Sequence, residues 1–372
     1  MADTKIKSLT GMRFVAILII VVSHLEFLKN YSSFGGFYWQ YLHNAILGVD
    51  FFFVLSGFGM MLSNINHFGF DIYNKLSIKS SLEYGIRHIK KIYPLYITTM
   101  LIMIPYYVID ATSHGKTVAD IIVICILKWT ACISLTQSLF GVIWLSHAFN
   151  SVCWFLSCMF CIYIVSPFFI NVIKKFCTNI NRIILLLVTL PVFSSVTAFL
   201  LNQIQKETCL NALVNYSPYR KIIYVLFGMV FAVLVSKYKH FFKIKHINYY
   251  EIAVFVISVL WFLFRRTVMF ALPYISFVYI IDMIIVGLII LFLALNKGII
   301  SKILSKPKFV YLGELSMYIF LVHYPVRIYS ERILCFLNLN EWYYAVLTVI
   351  LIIIISYTIS EFLYNKTKKE NK

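Results

Sequence analysis

"GMRFVAILIIVVSHL" occupies residues 11–25. Between one cation, Arg13, and one imidazole, His24, nearly every side chain is aliphatic. At about 100° and 1.5 Å per residue the two polar groups share a helix face, roughly 16 Å apart along the axis. A run of this length and hydrophobicity reads as a membrane-spanning helix. It has a signal-peptide silhouette, with Lys5 and Lys7 before it, but no small-residue cleavage site follows; we read an uncleaved first span.

The rest of the chain repeats the pattern. Of 372 residues, 61% are hydrophobic and 13% charged, with a mean hydropathy of +0.85. Soluble domains run nearer 45–50% apolar and about 25% charged, so the solvent is lipid. Eleven apolar stretches are candidates to cross it, at roughly 10–28, 43–63, 89–109, 119–139, 149–173, 183–203, 218–236, 249–266, 274–296, 310–333 and 343–364.

Charge corrects that count. The formal net charge of +18 lies in short basic clusters between apolar runs, the pattern of juxtamembrane loops rather than of a nucleic-acid surface. Both ends of the chain are basic, so both belong in the cytoplasm. That requires one candidate between residues 110 and 149 not to cross. The weakest is 119–139, with Lys128 at its middle and Thr130, Ser134, Thr136 and Gln137 after it. With that segment re-entrant, 23 Lys and Arg fall inside against 10 elsewhere. The expected fold is an all-α polytopic bundle of about ten transmembrane helices, eleven being the alternative. Residues 1–372 form one membrane-embedded domain with both termini cytoplasmic.

Most of the eight cysteines lie within apolar runs and act as small hydrophobes. The C-x-x-C of Cys158 and Cys161 reads as helix packing, and no metal site is expected.

An intramembrane ionisable group is a functional hypothesis by default. Arg13 has a plain reading as a snorkelling anchor and His24 as an interhelical hydrogen-bond partner. "GVDFFFVLSGF" (48–58) puts Asp50 and Ser56 in the second span. "YGIRHIKKIYPLYI" (84–97) places Arg87, His88, Lys90 and Lys91 on the membrane side of Arg13, and Pro94 is expected to kink the following helix. Cations on one face suit a phosphate-rich ligand. Trp154 opens "WFLSC" and reads first as an interfacial anchor. "LGELSMYIFLVHYPV" (312–326) sets Ser316 and His323 on one helix face. Asp282, alone in "VYIIDMIIVG", is a functional carboxylate or a structural hydrogen-bond partner.

Taken in order, the Arg-x10-His pattern, "GVDFFFVLSGF", the basic run into "KIYPLY", "WFL" and "LSMYIFLVHYPV" resemble the acyltransferase 3 family of bacterial integral-membrane O-acyltransferases, from about residue 7 to 364. The resemblance implies transfer of an acyl group, most often acetyl from acetyl-CoA, to a sugar hydroxyl of a surface or secreted polysaccharide or its lipid-linked precursor. It implies a multi-pass protein of the bacterial cytoplasmic membrane, with acyl-CoA as donor substrate and no resident cofactor. Carried over, His24 is associated with catalysis and Arg13 is its partner. Arg13, Arg87, His88, Lys90 and Lys91 would hold the acyl-CoA, and Asp50, Ser56, Trp154, Ser316 and His323 would line the pocket.

The chain departs from the family's Arg-x-x-Arg run, having His88 and Lys91 at those positions. Charge is partly kept and the bidentate fork is lost. Ser157 and Cys158 stand where some members carry a glutamate. The alternative function is a glycan polymerase or a lipid-linked glycan flippase. A polymerase favours a large external loop with paired arginines and a flippase favours internal repeats; we find neither in the sequence.

Overall fold

The computed structural model describes residues 6–31, 34–71, 77–240, 242, 245–271, 275–339 and 341–370. Lys5, Lys75, Lys243 and Lys372 of the basic clusters lie outside these, as does the first residue of the span expected at 274–296. Among the described residues there is no strand. In lipid only a helix satisfies its own backbone within one segment, so apolar sequence becomes helix.

In chain order the helices are α1 (Lys7–Ser23), the single turn α2 (Gly35–Phe37), α3 (Ala45–Phe68), α4 (Ile78–Ile89), α5 (Tyr93–Ser113), α6 (Val118–Ile133), the short α7 (Ile143–Ser146), α8 (Trp154–Phe176), α9 (Ile180–Glu207), α10 (Pro218–Tyr238), α11 (Ile247–Ala271), α12 (Val278–Leu295), the short α13 (Ile299–Leu304), α14 (Pro307–Phe336) and α15 (Trp342–Glu370). Among the described residues nine helices are long and apolar enough to cross a bilayer. α1, at 17 residues, is shorter than any of these. The protein is an all-α polytopic membrane protein.

The start of α1 and the end of α15 lie at one end of the bundle. The start of α14 packs on the start of α1, where a Cβ on Gly313 would stand 1.8 Å from the Thr10 carbonyl oxygen. It also meets the end of α15, where Tyr311 donates to Glu361 at 2.7 Å. This end carries the lysine clusters, and we call it the basic end.

The segment expected to be re-entrant turns back. α6 descends beside α5 until Tyr93 and Tyr96 donate to the Ile133 and Cys132 carbonyls, both at 2.8 Å. The chain then returns: Tyr219 donates to the Leu139 carbonyl at 2.7 Å, and the Ala212 N–H to the Gly141 carbonyl at 2.7 Å. Residues 212 and 219 flank the α9–α10 connection, at the far end. Such non-helical backbone survives at depth only when protein satisfies it. Ser157 does so directly, donating to the Leu135 carbonyl at 2.8 Å and accepting from the Ser138 N–H at 3.1 Å.

Two boundaries differ from expectation. The first helix ends at Ser23 rather than near residue 28, and a 3-10 turn follows at Glu26–Asn30. Pro94 starts a helix instead of kinking one: it stands in the first turn of α5, where its missing N–H costs nothing. The connection between the spans expected at 43–63 and 89–109 contains most of α4, an amphipathic helix capped by Ser77 and packed through Gly85 on Phe160 and Ile164 of α8.

Candidate active site

Three cavities follow one another along the bundle: α3, α4 and α8 wall the first, α1, α3, α8 and α14 the second, and these last four with α11 and the re-entrant segment much of the third. At the basic end lies a pocket of about 590 Å3, walled by Ser56, Ser63, Tyr84, Arg87, His88 and Tyr163. Next comes an apolar narrowing of about 10 Å3 between Ile20, Val49, Phe52, Phe155, Ser316 and Phe320. Val49 and Phe320 also belong to the wall of the third cavity, a polar chamber of about 360 Å3. His24, Glu26, His147, Trp154, Tyr216 and Arg327 face it. Sequence spacing keeps the order on every helix. Along α3, residues 45–49 line the chamber, 52 the narrowing and 56–68 the basic-end pocket.

His24 is the residue that ends α1. Its own N–H still bonds the Ile20 and Val21 carbonyls, and its Nδ1 lies 2.8 Å from the Ile20 oxygen. A carbonyl only accepts, so Nδ1 carries the proton and caps a helix C-terminus that lacks donors. That leaves Nε2, which no described residue bonds, as the basic nitrogen. His323 repeats the arrangement one helix away, with Nδ1 3.0 Å from the Ile319 oxygen and Nε2 3.5 Å from His24 Nδ1, at the edge of hydrogen bonding. The ring centroids are 5.2 Å apart.

Pro325 explains how the re-entrant segment is fixed beside this pair. Without an N–H, Pro325 cannot bond the Leu321 carbonyl four residues back. The Asn150 side chain donates to that oxygen instead, at 3.0 Å.

The other expected site residues separate into groups. Arg13 lines none of the three cavities; it lies within electrostatic range of Glu314 and of Tyr163, a residue of the basic-end pocket wall. Arg87 and His88 wall the basic-end pocket, His88 stacked on Tyr163 at 4.6 Å. Lys90 and Lys91 are exposed at the α4–α5 junction and border none of the three cavities. Ser56 is in the basic-end pocket, donating to the Phe52 carbonyl at 2.7 Å. Trp154 is a buried chamber wall, edge-on to Tyr216 at 5.1 Å, rather than an interfacial anchor. Ser316 sits in the narrowing, and its Oγ has no partner.

Asp50 borders none of the three cavities. It is fully buried in an ion pair with Lys221 of α10 at 2.6 Å, where α3 and α10 cross. Asp282 is likewise structural, accepting from Arg265 Nε and Nη2 at 2.9 and 2.8 Å and from Trp261 at 2.8 Å.

The chamber also holds residues that the sequence reading passed over: Glu26, His43, His147, Arg265, Arg266 and Arg327. The adjacent arginines in "WFLFRRTVMF" were the available signal, two charges at the end of an apolar run.

The fold is therefore a polytopic bundle in which the imidazole that ends α1 faces the last of a line of three cavities. A family model described as an acyltransferase domain, that of acyltransferase 3, matches residues 6–361, and the chain belongs to that family. Acyltransferase MdmB of Streptomyces mycarofaciens is 28% identical over 176 residues, which are 46% of this chain and 41% of that protein. The matched stretch thus spans well under half of that relative's length. No solved structure matches.

Proposed function

We propose that the protein takes an acyl group, acetyl from acetyl-CoA, and transfers it to a sugar hydroxyl of a surface or secreted polysaccharide or its lipid-linked precursor. The observation that carries this reading is the line of cavities with cations at one end and His24 at the other. The nucleotide of the donor occupies the basic-end pocket against Arg87 and His88, with Arg13 beyond it. Its pantetheine arm enters the narrowing, where the partnerless Ser316 Oγ offers a hydrogen bond to a donor carbonyl. The acceptor occupies the chamber.

His24 Nε2 takes the proton of the acceptor hydroxyl as that oxygen attacks the thioester carbonyl carbon. The C–O ester bond forms, the C–S bond breaks, and the departing CoA thiolate takes the proton from the imidazolium. The Nδ1–H bond to Ile20 fixes the tautomer that this step requires. The membrane is the cytoplasmic membrane of a bacterium, with the basic end facing the cytoplasm.

The test uses the host's purified surface glycan from wild type, a deletion strain and a His24→Ala strain with confirmed expression. Loss of base-labile esters at normal chain length in both mutants is expected. Unchanged esters with shortened chains would overturn the reading in favour of a polymerase or flippase.

A further inference from the structure

The chamber wall contains a cation that has no counter-charge among the described residues. Three arginines face the chamber, Arg265 and Arg266 of α11 and Arg327 of α14. Arg265 is neutralised by Asp282 at 2.8 Å. Arg327 is held by Glu331 at 2.9 Å and faces Glu26 at 4.0 Å. Arg266 is only 8% exposed, yet among the described residues no carboxylate lies within ion-pairing distance of it. Its guanidinium lies 3.8 Å from the Trp39 ring, and Nη1 donates to the His43 carbonyl at 3.3 Å. Its Nε has no partner.

Burying a guanidinium without a carboxylate is costly, and leaving one of its N–H groups without an acceptor adds to the cost. Stacking on Trp39 recovers part of this and fixes the plane of the fork. The fork is then presented, desolvated and oriented, in the cavity that also presents His24. Arginine in that state matches the planar or trigonal oxygens of a carboxylate or phosphate.

We propose that Arg266 is an anion subsite of the acceptor chamber, so that the acceptor carries a carboxylate or phosphate beside the hydroxyl that is acylated. The inference rests on the reading of this chamber as the acceptor site, and it narrows the acceptor to anionic sugars. Trp39 positions Arg266 and does not touch the reacting atoms.

The test is a binding measurement on the purified full-length protein in detergent, read by tryptophan fluorescence, with Trp39→Phe identifying the reporter. Methyl glucuronide, glucose 1-phosphate and methyl glucoside are titrated separately. At least one anionic sugar should saturate at a concentration about tenfold or more below the neutral glycoside, the scale of a charge-assisted contact. Whichever of the two does so assigns the anion as carboxylate or phosphate. Arg266→Gln should remove this preference and Arg266→Lys should retain much of it. Binding is read without an acyl donor, so the result stands even where acyl transfer fails. Equal saturation by neutral and anionic sugars in the wild type would overturn the proposal. So would an undiminished preference in a folded Arg266→Gln protein.

Discussion

At His24 the ring and the helix end serve one another. The Nδ1–H caps α1, and the cap in turn leaves Nε2 as the ring nitrogen without a proton. His24→Gln should lower the transfer rate by about 10²–10⁴-fold, the usual contribution of a general base, while acyl-CoA binding stays at wild-type level. Because the base must be neutral, the rate in proteoliposomes should rise with pH through the imidazole titration and then level off. A rate that falls over that range would remove His24 from the base role. Asp50 answers to a different test. Its loss leaves Lys221 as an uncompensated buried charge, so Asp50→Ala should cost about 3–5 kcal/mol by thermal melting in detergent. Asp50→Leu combined with Lys221→Met should recover most of that. Nothing local in "GVDFFF" tells a pocket carboxylate from an ion-paired one, because the partner is 171 positions away.

Among the elements, α3 and α10 cross at two glycines. A Cβ on Gly57 would lie 1.9 Å from the Val225 carbonyl oxygen, and one on Gly228 would lie 1.9 Å from that of Val54. The close approach carries the Asp50–Lys221 pair with it. Gly57→Ala or Gly228→Ala should destabilise the protein by about 1–3 kcal/mol through overpacking. Gly59→Ala, whose Cβ meets nothing within 4 Å, should be neutral in the same melting assay. A cost at Gly59 equal to that at Gly57 would place the effect in the helix rather than the crossing. Asn150 and Pro325 form a second linked pair. Asn150→Ala strips the Leu321 carbonyl of its donor, at about 1–3 kcal/mol. Pro325→Ala restores a backbone donor to that oxygen, so the double variant should be less destabilised than the sum of the singles.

For the whole molecule, the proposed function puts donor and acceptor at opposite ends of one line of cavities. Cys209 and Cys335 are exposed, one in the α9–α10 connection and one in the last turn of α14, both at the end opposite the basic one. With the basic end in the cytoplasm, a membrane-impermeant maleimide added to intact cells should label these two, and Cys209→Ser with Cys335→Ser should abolish the labelling. Labelling that appears only after permeabilisation would invert the orientation.

Membrane character, helical class and the positions of the spans were legible in the sequence because each follows from local composition: an apolar run in lipid has no alternative to helix. The turn back of the chain after residues 119–133 was foreshadowed too, by Lys128 and the polar residues after it. His24 and Arg13 were visible as ionisable groups in an apolar run. What the sequence left open was which polar groups meet. Asp50 with Lys221, Asp282 with Arg265, Asn150 with Leu321 and Arg266 with no carboxylate among the described residues are relations between helices far apart in the chain. Only packing sets them, because a buried charge or hydrogen-bonding group is defined by the neighbour the tertiary structure gives it.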